Sequence, residues 1–191
     1  MKIVVDGMGG DHAPETAVEG AVLAARKNKT GIIITGIESE IAAELKKYSD
    51  ADNLPIEIRH ADEVVDMHDS PSKVVRGKRK SSMKVGLDLV KEGEAQAFVS
   101  AGNTGAVLAY STFILRPLKG VDRPAIAIVL PTLKGSSILL DAGANVDCKA
   151  NQLFQFALMG HVYAKYVLEQ TNPTVGLLSI GEEDSKGNET T

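Results

Sequence analysis

Residues 95–106 read AQAFVSAGNTGA: a short apolar run turns through Gly102 and opens a helical pattern at Asn103, Thr104 and Gly105. A strand that passes into a helix across a glycine turn is the repeating unit of α/β proteins, in which parallel strands are joined by helices. The same punctuation recurs after other apolar runs, at DGMGGDHAPE (6–15), DAGANVD (141–147) and GEEDSKGNE (181–189). Working outward, the pattern predicts strands at 2–5, 31–35, 55–59, 95–100, 125–130, 136–140 and 174–179. Helices are expected at 14–28, 39–48, 72–91, 103–116 and 150–169, with Pro14 as a first-turn proline and Gly93 as a stop. Most of the strands are near-continuous apolar runs, as in sheets covered on both faces. The expected fold is therefore α/β, a mostly parallel sheet with helices on both faces. In the last helix, Leu153, Phe154, Ala157, Leu158, His161 and Val162 share a face expected to be core.

A length of 191 residues suits one α/β domain over 1–191. The chain stops in a glycine-rich polar loop where a helix normally follows, so a C-terminally truncated piece of a longer enzyme is expected. With 43% hydrophobic and 24% charged residues, disordered and collagen-like classes are excluded. The net charge of −4 offers no global attraction for nucleic acid or anionic lipid. A single cysteine, Cys148, forms no internal disulfide, and the N-terminus lacks the apolar stretch of a secretion signal. No apolar run approaches the roughly 20 residues of a membrane-spanning helix, and a cytosolic protein is expected.

Four glycine-rich segments at strand ends point to an anion. Helix N-termini present unpaired N–H groups there, and glycine lets the backbone approach closely. In SAGNTGA, the amides of Asn103, Thr104 and Gly105, with Ser100 and Gly102 before them, form a candidate cradle; the alternative is a tight turn merely capped by Asn103. DGMGGDHAP offers Asp6, Gly9, Gly10 and His12 as a pocket floor. Asp6, Asp11 and His12 could also meet a metal, but strand-end carboxylates often just bond loop amides. Asp141 and Asn145 of DAGANVD, and Lys186 and Asn188 of the last loop, are further candidates. No segment is a dinucleotide fingerprint, a P-loop or a G-x-S-x-G elbow.

DSPSKVVRGKRKSSM (69–83) carries Lys73, Arg76, Lys78, Arg79 and Lys80. In a continuous helix, Lys73, Arg76 and Lys80 share a face suited to phosphate or an acidic partner; a solvated helix face is the plainer reading. Without interleaved aromatics, nucleic acid is the weakest option.

Taken in order, MKIVVDGMGGDHAP, HADEVV, DSPSKVVRGKRKSSM, SAGNTGA, VDRPAIA, LPT, LLDAGANVD and VGLLSIGEEDSKGNE resemble the PlsX family of bacterial phosphate acyltransferases from residue 1 to 191. The resemblance implies transfer of a fatty acyl group from acyl carrier protein to inorganic phosphate, giving an acyl phosphate for membrane phospholipid synthesis. It implies a Rossmann-like three-layer fold similar to phosphotransacetylases and the isocitrate dehydrogenase group. It further implies a homodimer in the cytoplasm, often at the membrane surface, with no metal and no organic cofactor. Family chains are longer than this one. Two departures stand out: DGMGGD where many members have DAMGGD, and Gly77–Lys78 where an Arg often sits. On this reading Asn103, Lys186 and Asn188 are catalytic. Asp6, Gly9, Gly10, His12, Ser100, Gly102, Thr104, Gly105, Lys73, Arg76, Asp141 and Asn145 bind substrate. A coenzyme A-dependent phosphotransacylase and an inactive folded or dimerising module remain as alternatives.

Overall fold

The computed structural model describes residues 1–181, 183, 186, 187 and 190. These form two compact units, Met1–Arg116 and Pro117–Thr191.

The first unit runs β1 (Lys2–Asp6), α1 (Glu15–Asn28), β2 (Gly31–Gly36), α2 (Glu38–Leu45), β3 (Ile56–His60), α3 (Pro71–Gly77), α4 (Ser82–Lys91), β4 (Ala97–Val99) and α5 (Thr104–Ile114). Its four strands are all parallel, in the order β3-β2-β1-β4, with Val4 opposite Ile33 on one side and Phe98 on the other. Alternation along β2 sorts the layers. Ile32 and Ile34 join Val18, Ala21, Val22 and Ala25 of α1 and Ile41 of α2 on one face. Ile33 points the other way, with Val4, into a cluster that contains Leu89 of α4. Side chains on successive strand residues point to opposite faces, so a run with no polar break, such as IIIT, can serve two layers. A third cluster joins Val74 of α3, Met83 and Leu87 of α4, and Ala106, Tyr110 and Ile114 of α5.

The predicted helix over 72–91 is two helices. At Lys78 the backbone leaves the helical region (φ −92°, ψ 73°). The Lys78 ammonium folds back, donating to the Val64 carbonyl and to Asp69 Oδ2, both at 2.6 Å. Ser81 then caps α4, its hydroxyl accepting from the Lys84 N–H. Lys80 therefore lies between two helices rather than on one face with Lys73 and Arg76.

The second unit contains β5 (Ala127–Thr132) and β6 (Gly135–Leu140), an antiparallel hairpin closed by Leu133–Lys134, followed by α6 (Ala150–Tyr166) packed on β6. Two expectations fail here. Residues 174–179 form no strand; Val175, Leu177 and Leu178 are exposed and no neighbouring strand pairs with them among the described residues. A strand needs a ladder partner for its backbone groups, and apolar composition does not supply one. The α6 stripe is also not core: Phe154 is 66%, Leu158 55% and Val162 46% exposed. Phe156, Gln152 and Ala164 are buried instead, because the helix turns that side to the hairpin.

Candidate functional site

In the first unit, two glycine loops interlock at the carboxyl ends of β1 and β4. Asp6, the last residue of β1, is buried. Its Oδ1 accepts from the Met8 N–H at 3.2 Å and its Oδ2 from the Ser100 hydroxyl at 2.7 Å, while the Ser100 oxygen accepts from the Gly102 N–H at 3.0 Å. Gly9 has no room for a side chain. A Cβ there would lie 2.6 Å from Asp6 Oδ2, 2.8 Å from Ser100 Oγ and 2.9 Å from the Gly102 nitrogen. Asp6, Gly9, Gly10, Ser100 and Gly102 are thus brought together. Asp6 acts there as a buckle between loops. His12, like Asp11, is exposed.

Asn103 begins the next layer. It caps α5, Oδ1 accepting from the Ala106 N–H at 2.9 Å, and its Nδ2 donates to the carbonyls of Asp66, Met67 and Asp69 at 3.0 to 3.2 Å. An amide has two N–H donors and one carbonyl. The buried side chain is therefore fully engaged in holding the 66–69 loop to the start of α5. The free groups are its neighbours. The N–H groups of Thr104 and Gly105, in the first turn of α5, have no hydrogen-bond partner among the described residues. Pro71, at the start of α3, is pressed against Gly105, where a Cβ would lie 2.7 Å from Pro71 Cγ. Two helix N-termini thus meet, bringing Ser70 and Ser72, whose hydroxyls are 3.2 Å apart, to the same place.

The basic segment divides by its partners. Lys78 pairs with Asp69 and Lys80 with Asp62, at 2.6 and 2.9 Å. Lys78 holds the Asp69 carboxyl below the usual carboxylate range, helped by the Asp66 amide. Lys80, then His60, does the same for Asp62. Lys73, Arg76 and Arg79 are exposed, and none makes an ion pair among the described residues.

Sequence reasoning missed Tyr110. Its buried hydroxyl accepts from Ser81 at 3.1 Å and faces the carbonyls of Val74, at 3.1 Å, and Lys78, the last carbonyls of the α3 region. Burial raises its pKa, against the lowering effect of the Ser81 bond. The available signal was its spacing, four residues from both Ala106 and Ile114 on the buried face of α5.

In the second unit, Asp141 and Asn145 meet. Asp141 Oδ1 accepts from the Ile126 N–H at 2.7 Å and Oδ2 from the Asn145 N–H at 2.6 Å, while the Asn145 amide also donates to Oδ2 and to the Pro124 carbonyl. Burial raises the Asp141 pKa, but the bonds from Ile126, Asn145 and Ala144 outweigh it and hold the carboxyl low. Lys186 is exposed, its N–H bonded to the Glu183 carbonyl; Asn188 lies outside the described residues. Among the described residues, no three His, Cys, Asp or Glu side chains gather to hold a metal ion, and no helix is long and apolar enough to cross a membrane.

The family described as fatty acid synthesis protein matches residues 1–191. The chain belongs to that family. Curated relatives include proteins named phosphate acyltransferase from Trichlorobacter lovleyi, 55% identical, and Geobacter sulfurreducens, 54% identical, each matched over the whole of this chain and 55% of its own. The chain thus spans about half the length of these relatives. Among solved structures, EutD phosphotransacetylase from Staphylococcus aureus aligns with a TM-score of 0.60 at 22% identity, over 86% of this chain and 52% of that one. This likeness shows a shared α/β fold, and the family members extend well beyond the matched stretch.

Proposed function

We propose that the chain takes part in transferring a fatty acyl group from acyl carrier protein to inorganic phosphate, giving an acyl phosphate for membrane phospholipid synthesis. Membership of the family and the names of its relatives support this reading. The observation that carries it is the first turn of α5, where the Thr104 and Gly105 amides lack partners among the described residues, beside the start of α3. Such amides, with the partial positive charge of a helix N-terminus, suit a phosphate.

The chemistry asks little of side chains. Inorganic phosphate at neutral pH is a mixture of mono- and dianion, and the dianion can attack a thioester without a strong base. A phosphate oxygen forms the new C–O bond and the C–S bond breaks. The thiolate, of pKa about 8.5 if it behaves like cysteine, leaves and takes a proton from solvent. What the protein must do is hold phosphate in line and stabilise the oxyanion. In this reading Thr104 and Gly105 receive phosphate oxygens, and Asn103 keeps that turn in place. Asp6, Gly9, Gly10, His12, Ser100 and Gly102 form the floor, and Lys73 and Arg76 lie where the acyl donor approaches. Lys186, Asn188, Asp141 and Asn145 are proposed as further polar contacts on sequence grounds. The family reading also implies a cytoplasmic homodimer with peripheral membrane contact.

The test is phosphate-dependent thiol release from an acyl group carried by acyl carrier protein or by coenzyme A, measured for this chain and for a full-length relative. Release that requires phosphate and prefers the protein-bound donor is expected. Release independent of phosphate by the relative would overturn the reading.

A further inference from the structure

We propose that Lys73, Arg76 and Arg79 form the docking surface for the acidic acyl carrier protein, and that Lys78 and Lys80 take no part in it. This rests on the acyl-transfer reading above and adds where the donor lands. All five cations look equivalent in sequence, but ion pairing separates them. Lys78 is bound to Asp69 and the Val64 carbonyl, and Lys80 to Asp62.

The neighbouring acids have partners of their own. Asp62 holds His60 and Lys80, Glu63 accepts from the Lys80 N–H, Asp66 accepts from the His68 N–H, and Asp69 holds Lys78 and the Asp66 N–H. Among the described residues no carboxylate of this stretch pairs with Lys73, Arg76 or Arg79, although the whole chain is acidic at −4. Three exposed cations without an ion pair among the described residues, gathered on one short stretch of an acidic chain, complement an acidic surface. They recur every third residue. Lys73 and Arg76 lie on one face of α3, whose other side packs Val74 inward, and Arg79 follows in the turn anchored by Lys78 and Tyr110. Because α3 begins at Pro71 against Gly105, a partner on this row would sit beside the free amides of α5.

The experiment compares this chain with its Lys73→Gln/Arg76→Gln/Arg79→Gln variant and with Lys80→Gln, after circular dichroism confirms unchanged folding. Each is titrated with acylated acyl carrier protein at low and at 0.15 M salt, with inorganic phosphate, and with phosphatidylglycerol vesicles. Expected are carrier binding that weakens with salt, a loss of about tenfold in the triple variant, wild-type-like binding for Lys80→Gln, and phosphate affinity unchanged throughout. Loss of phosphate binding together with carrier binding would assign the row to phosphate and overturn the docking proposal. Carrier binding unaffected by the triple change, or a triple change that weakens binding only to vesicles, would also overturn it. In either of the latter cases intact phosphate binding would leave the acyl-transfer reading standing. If the triple variant fails to fold, the single Arg76→Gln variant should still lose about twofold in carrier affinity, and no loss there counts against the proposal.

Discussion

Replacing Asn103 with Ala should cost this chain about 3 kcal/mol. The N-cap bond to the Ala106 N–H contributes about 1 kcal/mol. The two N–H donors serve three carbonyls of the 66–69 loop, and losing two net bonds there costs about 1 kcal/mol each. Asn103→Ser keeps an oxygen for the cap and loses only the loop bonds, so it should cost about 2 kcal/mol. Asn103→Asp keeps the cap and favours the helix N-terminus, yet sets a carboxylate against three carbonyls. It should be no more stable than Ala at neutral pH. Urea unfolding followed by circular dichroism reads this directly. A loss of 3 kcal/mol lowers the midpoint by roughly 1 to 3 M at the slopes usual for small proteins. An Ala variant within about 0.5 kcal/mol of wild type would contradict this role for Asn103, since that is the range of surface changes touching nothing. So would an Asp variant as stable as Asn.

Gly9→Ala must push against Asp6, Ser100 and the Gly102 backbone, and should destabilise by about 1 to 3 kcal/mol in the same urea assay. Gly20→Ala, inside α1 with no atom within 4 Å of the added methyl, should instead stabilise by about 0.5 to 1 kcal/mol. Tyr110→Phe leaves the Lys78 carbonyl and the Ser81 hydroxyl without this partner, while Val74 keeps the Lys78 N–H; the change should cost about 1 to 3 kcal/mol and speed amide exchange at the end of α3. Asp69 has its folded pKa lowered by Lys78, so its stabilising effect is present above its unfolded pKa of about 3.9 and fades as pH falls through the folded value. Asp69→Asn should therefore lower stability at neutral pH and flatten the acid limb of a stability-pH profile; an unchanged limb would count against the pairing.

Much of the first unit was legible because its signals are local. β1, β2 and α5 announce themselves by apolar runs and by capping or glycine residues within a few positions, and the loops at their ends were readable for the same reason. What escaped depends on distant partners. The break in 72–91 is made by Lys78 reaching back to Val64 and Asp69, which no periodicity reports. Asn103 reads as an anion ligand or a cap, and only the folded 66–69 loop reveals where its amide donors go. Tyr110 reads as core, and its hydroxyl acquires meaning only once α3 ends against it. In the second unit, the apolar stretch 174–179 and the α6 stripe carry the composition of buried elements, but burial requires a neighbour that composition does not name.

The proposed acyl transfer depends on phosphate binding at the first turn of α5. Titrating inorganic phosphate into isotopically labelled chain and following backbone amide shifts by NMR tests it most directly. Saturable shifts should be largest at Thr104 and Gly105, weaken with Asn103→Ala, and spread little to α1 or α2. Saturable binding that moves amides elsewhere and leaves Thr104 and Gly105 in place would contradict the account.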